Sequence, residues 1–130
     1  MRRISSGVLG LLCVCALVLA APAIAKVLKG TKGDDKLIGS KNGDKLIGKG
    51  GDDILRSGEG GDLVLGGSGK DFIKSGQAFD EIRAGKGDDE IHVRDGTPDQ
   101  IDCGGGEDTV LADEIEEGVF DCENVEVLEE

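Results

Sequence analysis

The sequence predicts an all-β solenoid, a stack of short strands joined by glycine-rich loops, and three observations predict it. Aspartates recur at Asp35, Asp44, Asp53, Asp62, Asp71, Asp80 and Asp89, each nine residues after the last. Two residues beyond each comes one aliphatic side chain, at Leu37, Leu46, Leu55, Val64, Ile73, Ile82 and Ile91. Glycines crowd the residues before each aspartate, so the unit reads G-x-x-G-x-D-x-U-x with U aliphatic. D-x-U-x is too short for a helix but long enough for a strand whose single apolar side chain points one way. The glycine-rich remainder turns the chain, because glycine reaches the positive φ that a tight loop needs. One unit buries one aliphatic residue and cannot fold alone. Stacked units bury a continuous ladder, which gives a core to a chain that is only 2% aromatic.

Taken in order, the chain opens with Arg2 and Arg3, an apolar run from Val8 to Ala20 and the small-x-small site Ala23-Ile24-Ala25. This pattern predicts a signal peptide over residues 1–25, a mature protein from Lys26 and a secreted, extracellular destination. The apolar run is short for a membrane span and no stop-transfer sequence follows it, so no membrane attachment is expected after cleavage. Residues 26–110 hold the repeats. Gly30 to Ile38 is a good loop and strand with its inner glycine at Gly33; the next unit carries Asn42 where its inner glycine belongs. The units ending at Asp53, Asp62, Asp71 and Asp89 keep theirs, as Gly51, Gly60, Gly69 and Gly87. The unit ending at Asp80 has Ala78 there, and a weaker site is expected.

Past Ile91 the series slips by one residue at Pro98, giving Asp99 with Ile101, and recovers at Asp108 with Val110. Residues 111–130 carry one glycine, Gly118, and the apolar Val119, Phe120, Val125, Val127 and Leu128. They read as an atypical C-terminal cap, which solenoid ends need, with Phe120, Val125 and Val127 covering the last layer. Cys103 and Cys122 are the only cysteines after residue 25. In an exported protein they are expected to pair and tie the cap to the last repeats.

Charge narrows the function. Beyond residue 25 there are 13 basic and 27 acidic residues, a net charge of −14. Such a chain repels nucleic acid and anionic membranes. Without counterions, a glycine-rich acidic chain with sparse aliphatics should stay disordered, so a cation is needed for folding. A carboxylate every nine residues beside bare backbone carbonyls is an all-oxygen environment suited to a hard ion of flexible coordination. Calcium (Ca2+) fits better than magnesium, which keeps its waters, or soft metals, which want nitrogen or sulfur.

The nonapeptide resembles the hemolysin-type calcium-binding repeat of RTX proteins. The resemblance implies a right-handed parallel β-roll, a β-helix solenoid with two nonapeptides per turn, so that loops on one edge lie 18 residues apart. It further implies that ions sit between successive loops, held by aspartates and loop carbonyls. Asp35, Asp53, Asp71 and Asp89 would line one edge, and Asp44, Asp62, Asp80 and Asp99 the other, with Asp108 closing the series. The ending D-G-x-x-D-x-I-D-C-G-x-G-x-D-x-V-x-A-D is similar to that of small secreted calcium-repeat proteins of actinobacteria, and no catalytic role travels with it.

No enzyme is expected. The chain has one histidine, His92, no tyrosine or tryptophan, and no nucleophile with a base at recognisable spacing. The reading that remains is a secreted calcium-binding repeat protein that folds on binding several ions, as a structural or interaction module. Its alternative is an adhesive or self-associating surface protein. Ile54 and Phe72 share one outward register and Ile47 and Leu65 another, with Leu63 beside Leu65, and each stacked pair makes a patch for a second copy or a protein partner.

Overall fold

The computed structural model describes residues 25–113 and 118–128. The expected signal peptide, apart from Ala25, and residues 114–117, 129 and 130 of the expected cap lie outside them. The described residues form twelve short strands and no helix: β1 Val27–Lys29, β2 Lys36–Ile38, β3 Lys45–Gly50, β4 Ile54–Arg56, β5 Leu63–Ser68, β6 Phe72–Lys74, β7 Glu81–Lys86, β8 Glu90–Val93, β9 Gln100–Gly105, β10 Thr109–Ala112, β11 Val119–Phe120 and β12 Asn124–Val127. Strands alternate between two six-stranded sheets, β1-β3-β5-β7-β9-β11 and β12-β10-β8-β6-β4-β2, in which every pairing is parallel.

The nonapeptide sets this topology. Six loop residues reverse the chain, so consecutive units face each other across the core and alternate units hydrogen-bond. Leu46 therefore pairs with Val64, and Val64 with Ile82, at a spacing of 18 residues. The extra residue before Asp99 lengthens one turn: Ile82 pairs with Ile101 and Ile91 with Val110, at a spacing of 19. Strand registration survives the insertion because it stays in the loop.

The predicted aliphatic ladder is the core. Leu46, Leu55, Val64, Ile73, Ile82, Ile91, Ile101 and Val110 have no exposed surface, while Leu28 and Leu37 are partly buried at the N-terminal end. A second column, absent from the sequence reading, thickens the C-terminal half. Ala84, Val93, Cys103 and Ala112 are fully buried in register with the first loop position, occupied earlier by Gly30, Gly48 and Gly66 on one side and by Gly39, Ser57 and Ser75 on the other. Cys103 joins Cys122 with their Cα atoms 5.2 Å apart.

The tail behaves differently from the expectation that Phe120, Val125 and Val127 would cover the last coil. β11 and β12 extend the two sheets by one strand each. Val125 and Val127 stand in register with Val110 and Ala112, yet they stay exposed, and Phe120 is 55% exposed. Leu111 and Ala112, assigned to the cap from sequence, belong to β10.

Candidate metal centre

Each loop delivers its aspartate at the point where the chain enters the next strand, and backbone pairing stacks these aspartates into two columns. In the first, the Asp35 amide donates to Asp53 Oδ1 at 2.8 Å, Asp53 to Asp71 at 2.9 Å, Asp71 to Asp89 at 2.8 Å and Asp89 to Asp108 at 2.8 Å. In the second, the Lys26 amide donates to Asp44 Oδ1, Asp44 to Asp62, Asp62 to Asp80 and Asp80 to Asp99, at 2.6 to 2.9 Å. The structure thus groups all nine aspartates named from sequence on two edges. Asp108 completes the first column and Asp99 the second. The Asp108 amide in turn donates to Glu123 Oε2 at 2.9 Å. Glu123 escaped the sequence reading because it lies 15 residues beyond Asp108, off the nine-residue period.

The second carboxylate oxygen decides the chemistry. Oδ2 of Asp53, Asp62, Asp71, Asp80, Asp89 and Asp108 is buried and receives no hydrogen bond. A buried ionised oxygen left unpaired is expensive. The first loops differ: Asp35 Oδ2 accepts from the Thr31 amide and hydroxyl, and Asp44 Oδ2 from those of Ser40. Those two carboxylates need less help.

Electrostatics follow the same division. Burial, then the neighbouring carboxylates against a partly compensating backbone hydrogen bond, pushes Asp71 up to about 7, Asp80 to about 8 and Asp89 to about 6. Burial also raises Asp53, Asp62 and Asp108 above the ordinary carboxylate value. Asp44 is lowered: burial pushes it up, but hydrogen bonds from the Lys26 amide and from Ser40 outweigh that push.

Backbone oxygens complete the donor set. A Cβ placed on Gly30 would lie 2.6 Å from the Gly48 carbonyl oxygen and 2.7 Å from Asp35 Oδ2; Gly48 and Gly66 sit in the same way against Asp53 with the Gly66 oxygen and against Asp71 with the Ala84 oxygen. Aspartate and carbonyl oxygens from successive turns therefore crowd around Gly30, Gly48 and Gly66, where an added side chain would displace them. The inner glycines Gly51, Gly69 and Gly87 adopt φ of 89°, 113° and 122°, and each packs against the backbone of the glycine one turn before, beginning with Gly33. Gly33 itself lies outside the left-handed region; its amide donates to Thr31 Oγ1 at 3.1 Å. Gly60 stacks on Asn42 with φ of 89°, and Ala78 holds φ of 85° at the equivalent place. Gly106, with φ of 136°, extends the inner column and was not named from sequence.

Donors of this kind, unpaired carboxylate oxygens beside carbonyls and no nitrogen or sulfur, fit a calcium ion. Asp53, Asp71 and Asp89 would hold it on one edge and Asp62 and Asp80 on the other, with loop carbonyls. A bound ion supplies the positive charge these oxygens lack. His92 is outside this arrangement: it bonds Glu90 through Nε2 at 2.6 Å and its ring lies 4.8 Å from that of Phe72.

The apolar residues named for a partner face fall on different sheets. Ile47, Leu63 and Leu65 are half-buried on β3 and β5, whereas Ile54, 41% exposed, pairs with Phe72 across β4 and β6. They form two patches.

Comparisons with characterised proteins and with solved structures find no match. The family model of the RTX calcium-binding nonapeptide repeat matches four times, over residues 29–64, 40–73, 65–98 and 74–110. These matches span most of the chain and coincide with the two aspartate columns. The chain belongs to the RTX calcium-binding nonapeptide repeat family, and its β-roll is a calcium-binding structural fold.

Proposed function

We propose that this is a secreted, non-catalytic module that folds when several calcium ions enter its loops, held at Asp35, Asp44, Asp53, Asp62, Asp71, Asp80, Asp89, Asp99 and Asp108 with the carbonyls around Gly33, Gly51, Gly60, Gly69 and Gly87. The observation that carries the reading is the set of six buried Oδ2 atoms without donors. A protein carrying that many unpaired buried charges is poorly stable, and an ion that binds only the folded state supplies the deficit by mass action. Residues 118–128 serve as the terminal element, joined to the roll through Glu123, the disulfide and one added strand per sheet. RTX repeat proteins are typically extracellular, and the N-terminal arginine-apolar-Ala-x-Ala pattern supports export of this chain. Circular dichroism tests the reading: coil in chelator and strand in millimolar calcium are expected, and a fully folded protein in chelator at pH 8 refutes it.

A second reading, self-association of the folded roll, is favoured by one observation. Ile47 and Leu65 pair directly on an outer sheet face with Leu63 beside them. Sedimentation velocity in calcium should then show a dimer that a Leu65→Lys variant abolishes; a monomer in the wild type removes it.

A further inference from the structure

The loop from Arg94 to Asp99 breaks the repeat by one residue. The structure brings three carboxylates together at that point: Asp80, Asp95 and Asp99 each offer an oxygen, all within 4.8 Å of one another. Asp95 belongs to no nonapeptide position of the aspartate ladder. It lies in the loop that holds the inserted residue, where Thr97 Oγ1 donates to the Ala78 carbonyl at 3.1 Å. Asp95 Oδ1 is committed, accepting from the Thr97 amide at 2.8 Å and from its hydroxyl at 2.6 Å. Its Oδ2 is buried without a donor.

Asp80, with no exposed surface, repeats that division: Oδ1 accepts from the Asp62 amide at 2.8 Å, while Oδ2 is buried and receives nothing. Asp99 accepts the Asp80 amide on Oδ1 at 2.9 Å and the Ser75 hydroxyl on Oδ2 at 3.3 Å. The loop is held in place from below, since the Gly96 amide donates to Asp113 Oδ2 at 2.6 Å. Two carboxylates of this close group thus spend one oxygen on anchoring themselves and keep the other buried without a donor. Oxygens up to 4.8 Å apart are spanned by one ion bound at about 2.3 to 2.6 Å, the range of calcium.

We propose that Asp80, Asp95 and Asp99 form a three-carboxylate calcium site, distinct in composition from the repeat sites and tighter than they are. Affinity in all-oxygen sites rises with the number of charged ligands and with rigidity. The off-ladder aspartates of the regular loops, Asp34, Asp52 and Asp88, are exposed and spend Oδ1 on the amides of Asp52, Lys70 and Glu107; Asp95 instead stands within 4.8 Å of two ladder carboxylates, in a segment fixed by Pro98 and by bonds to Ala78 and Asp113. Calcium is therefore expected here first, and folding is expected to spread from this turn toward the N-terminus, since solenoid layers couple to their neighbours.

The proposal rests on the calcium reading above, and its test separates the two. Calorimetric titration of the full chain with calcium should show a tight class of about one ion followed by a weaker class. Asp95→Asn keeps the oxygen that caps Thr97 and removes the charge; it should weaken the tight class about tenfold and leave the weaker class and the final strand content at 10 mM calcium unchanged. Should that variant not regain strand signal, Asp95→Ser is measured in its place, and amide spectra of the wild type at one equivalent of calcium give an answer that needs no variant: Gly96 and Thr97 should order before Gly51 and Gly69. An unchanged tight class in Asp95→Asn, or ordering that begins near Gly51, overturns the three-carboxylate site while calcium binding by the repeats stands. A wild type that takes up no calcium overturns both.

Discussion

Acid should substitute for calcium. Asp71, Asp80 and Asp89 reach about 7, 8 and 6 in the metal-free fold, against 3.8 for an ordinary aspartate. All three lie above the unfolded value, so folding without metal takes up protons. Their contribution to stability is whole below about pH 4 and is lost as the pH rises through 6, 7 and 8. Between pH 5 and 6 the folded chain holds between two and three more of these protons than the unfolded one, worth about 3 to 4 kcal/mol per pH unit. Screening by water at the loop edges takes part of this, leaving on the order of 2 kcal/mol per pH unit. Asp44 acts in the opposite sense, because its value is lowered and its contribution is lost as the pH falls through that lowered value. The informative window is therefore pH 8 to 4.5. Metal-stripped protein followed by circular dichroism should gain strand signal on acidification across it, and an Asp71→Asn, Asp80→Asn double variant should show a shallower dependence. No gain in the wild type, or the same slope in the double variant, would refute the assignment of the proton sites.

Three further outcomes follow from particular residues. Ala78 holds φ of 85° in a slot that elsewhere belongs to glycine, so Ala78→Gly should stabilise the calcium-bound roll by about 0.5 to 1 kcal/mol in urea melts, the relief of left-handed strain less the added chain entropy. Asp71→Asn should raise the calcium midpoint more than Asp35→Asn, because Asp35 Oδ2 already has the Thr31 donors and Asp71 Oδ2 has none; equal shifts in a calcium titration would contradict this. The Cys103→Ser, Cys122→Ser double variant loses a bridge closing a loop of about 20 residues, worth ~3 kcal/mol. Its calcium midpoint should rise roughly three- to tenfold, the larger value if fewer ions fill together, without loss of folding at saturation.

The repeat made the fold legible. A strict nine-residue period fixes which side chain points inward, where the chain turns and which aspartates share an edge, and Leu46 to Val110 and both columns follow it. Residues that obey no period were invisible. Glu123 terminates a ladder from 15 residues away, and Asp95 joins Asp80 and Asp99 from the one loop that departs from the nine-residue period; neither placement is a local property of the chain. Ala84, Val93, Cys103 and Ala112 read as interruptions of a glycine pattern, and only the stacking of turns shows that they widen the core. For Phe120, Val125 and Val127 hydrophobicity suggested burial, whereas the strands that carry them pair along one side and have no described strand on the other.

The amides of Asp35, Asp44, Asp53, Asp62, Asp71, Asp80 and Asp89 each give their hydrogen to a carboxylate one turn later. The stack therefore has a direction, and its two ends fail differently when cut. Removing turns from the N-terminus leaves a carboxylate oxygen at the new end that water can serve. Removing them from the C-terminus strips the acceptor from a buried amide, a costlier loss. The roll should tolerate shortening at its beginning better than at its end, and a chain emerging N-terminus first cannot complete any turn until the following one has arrived.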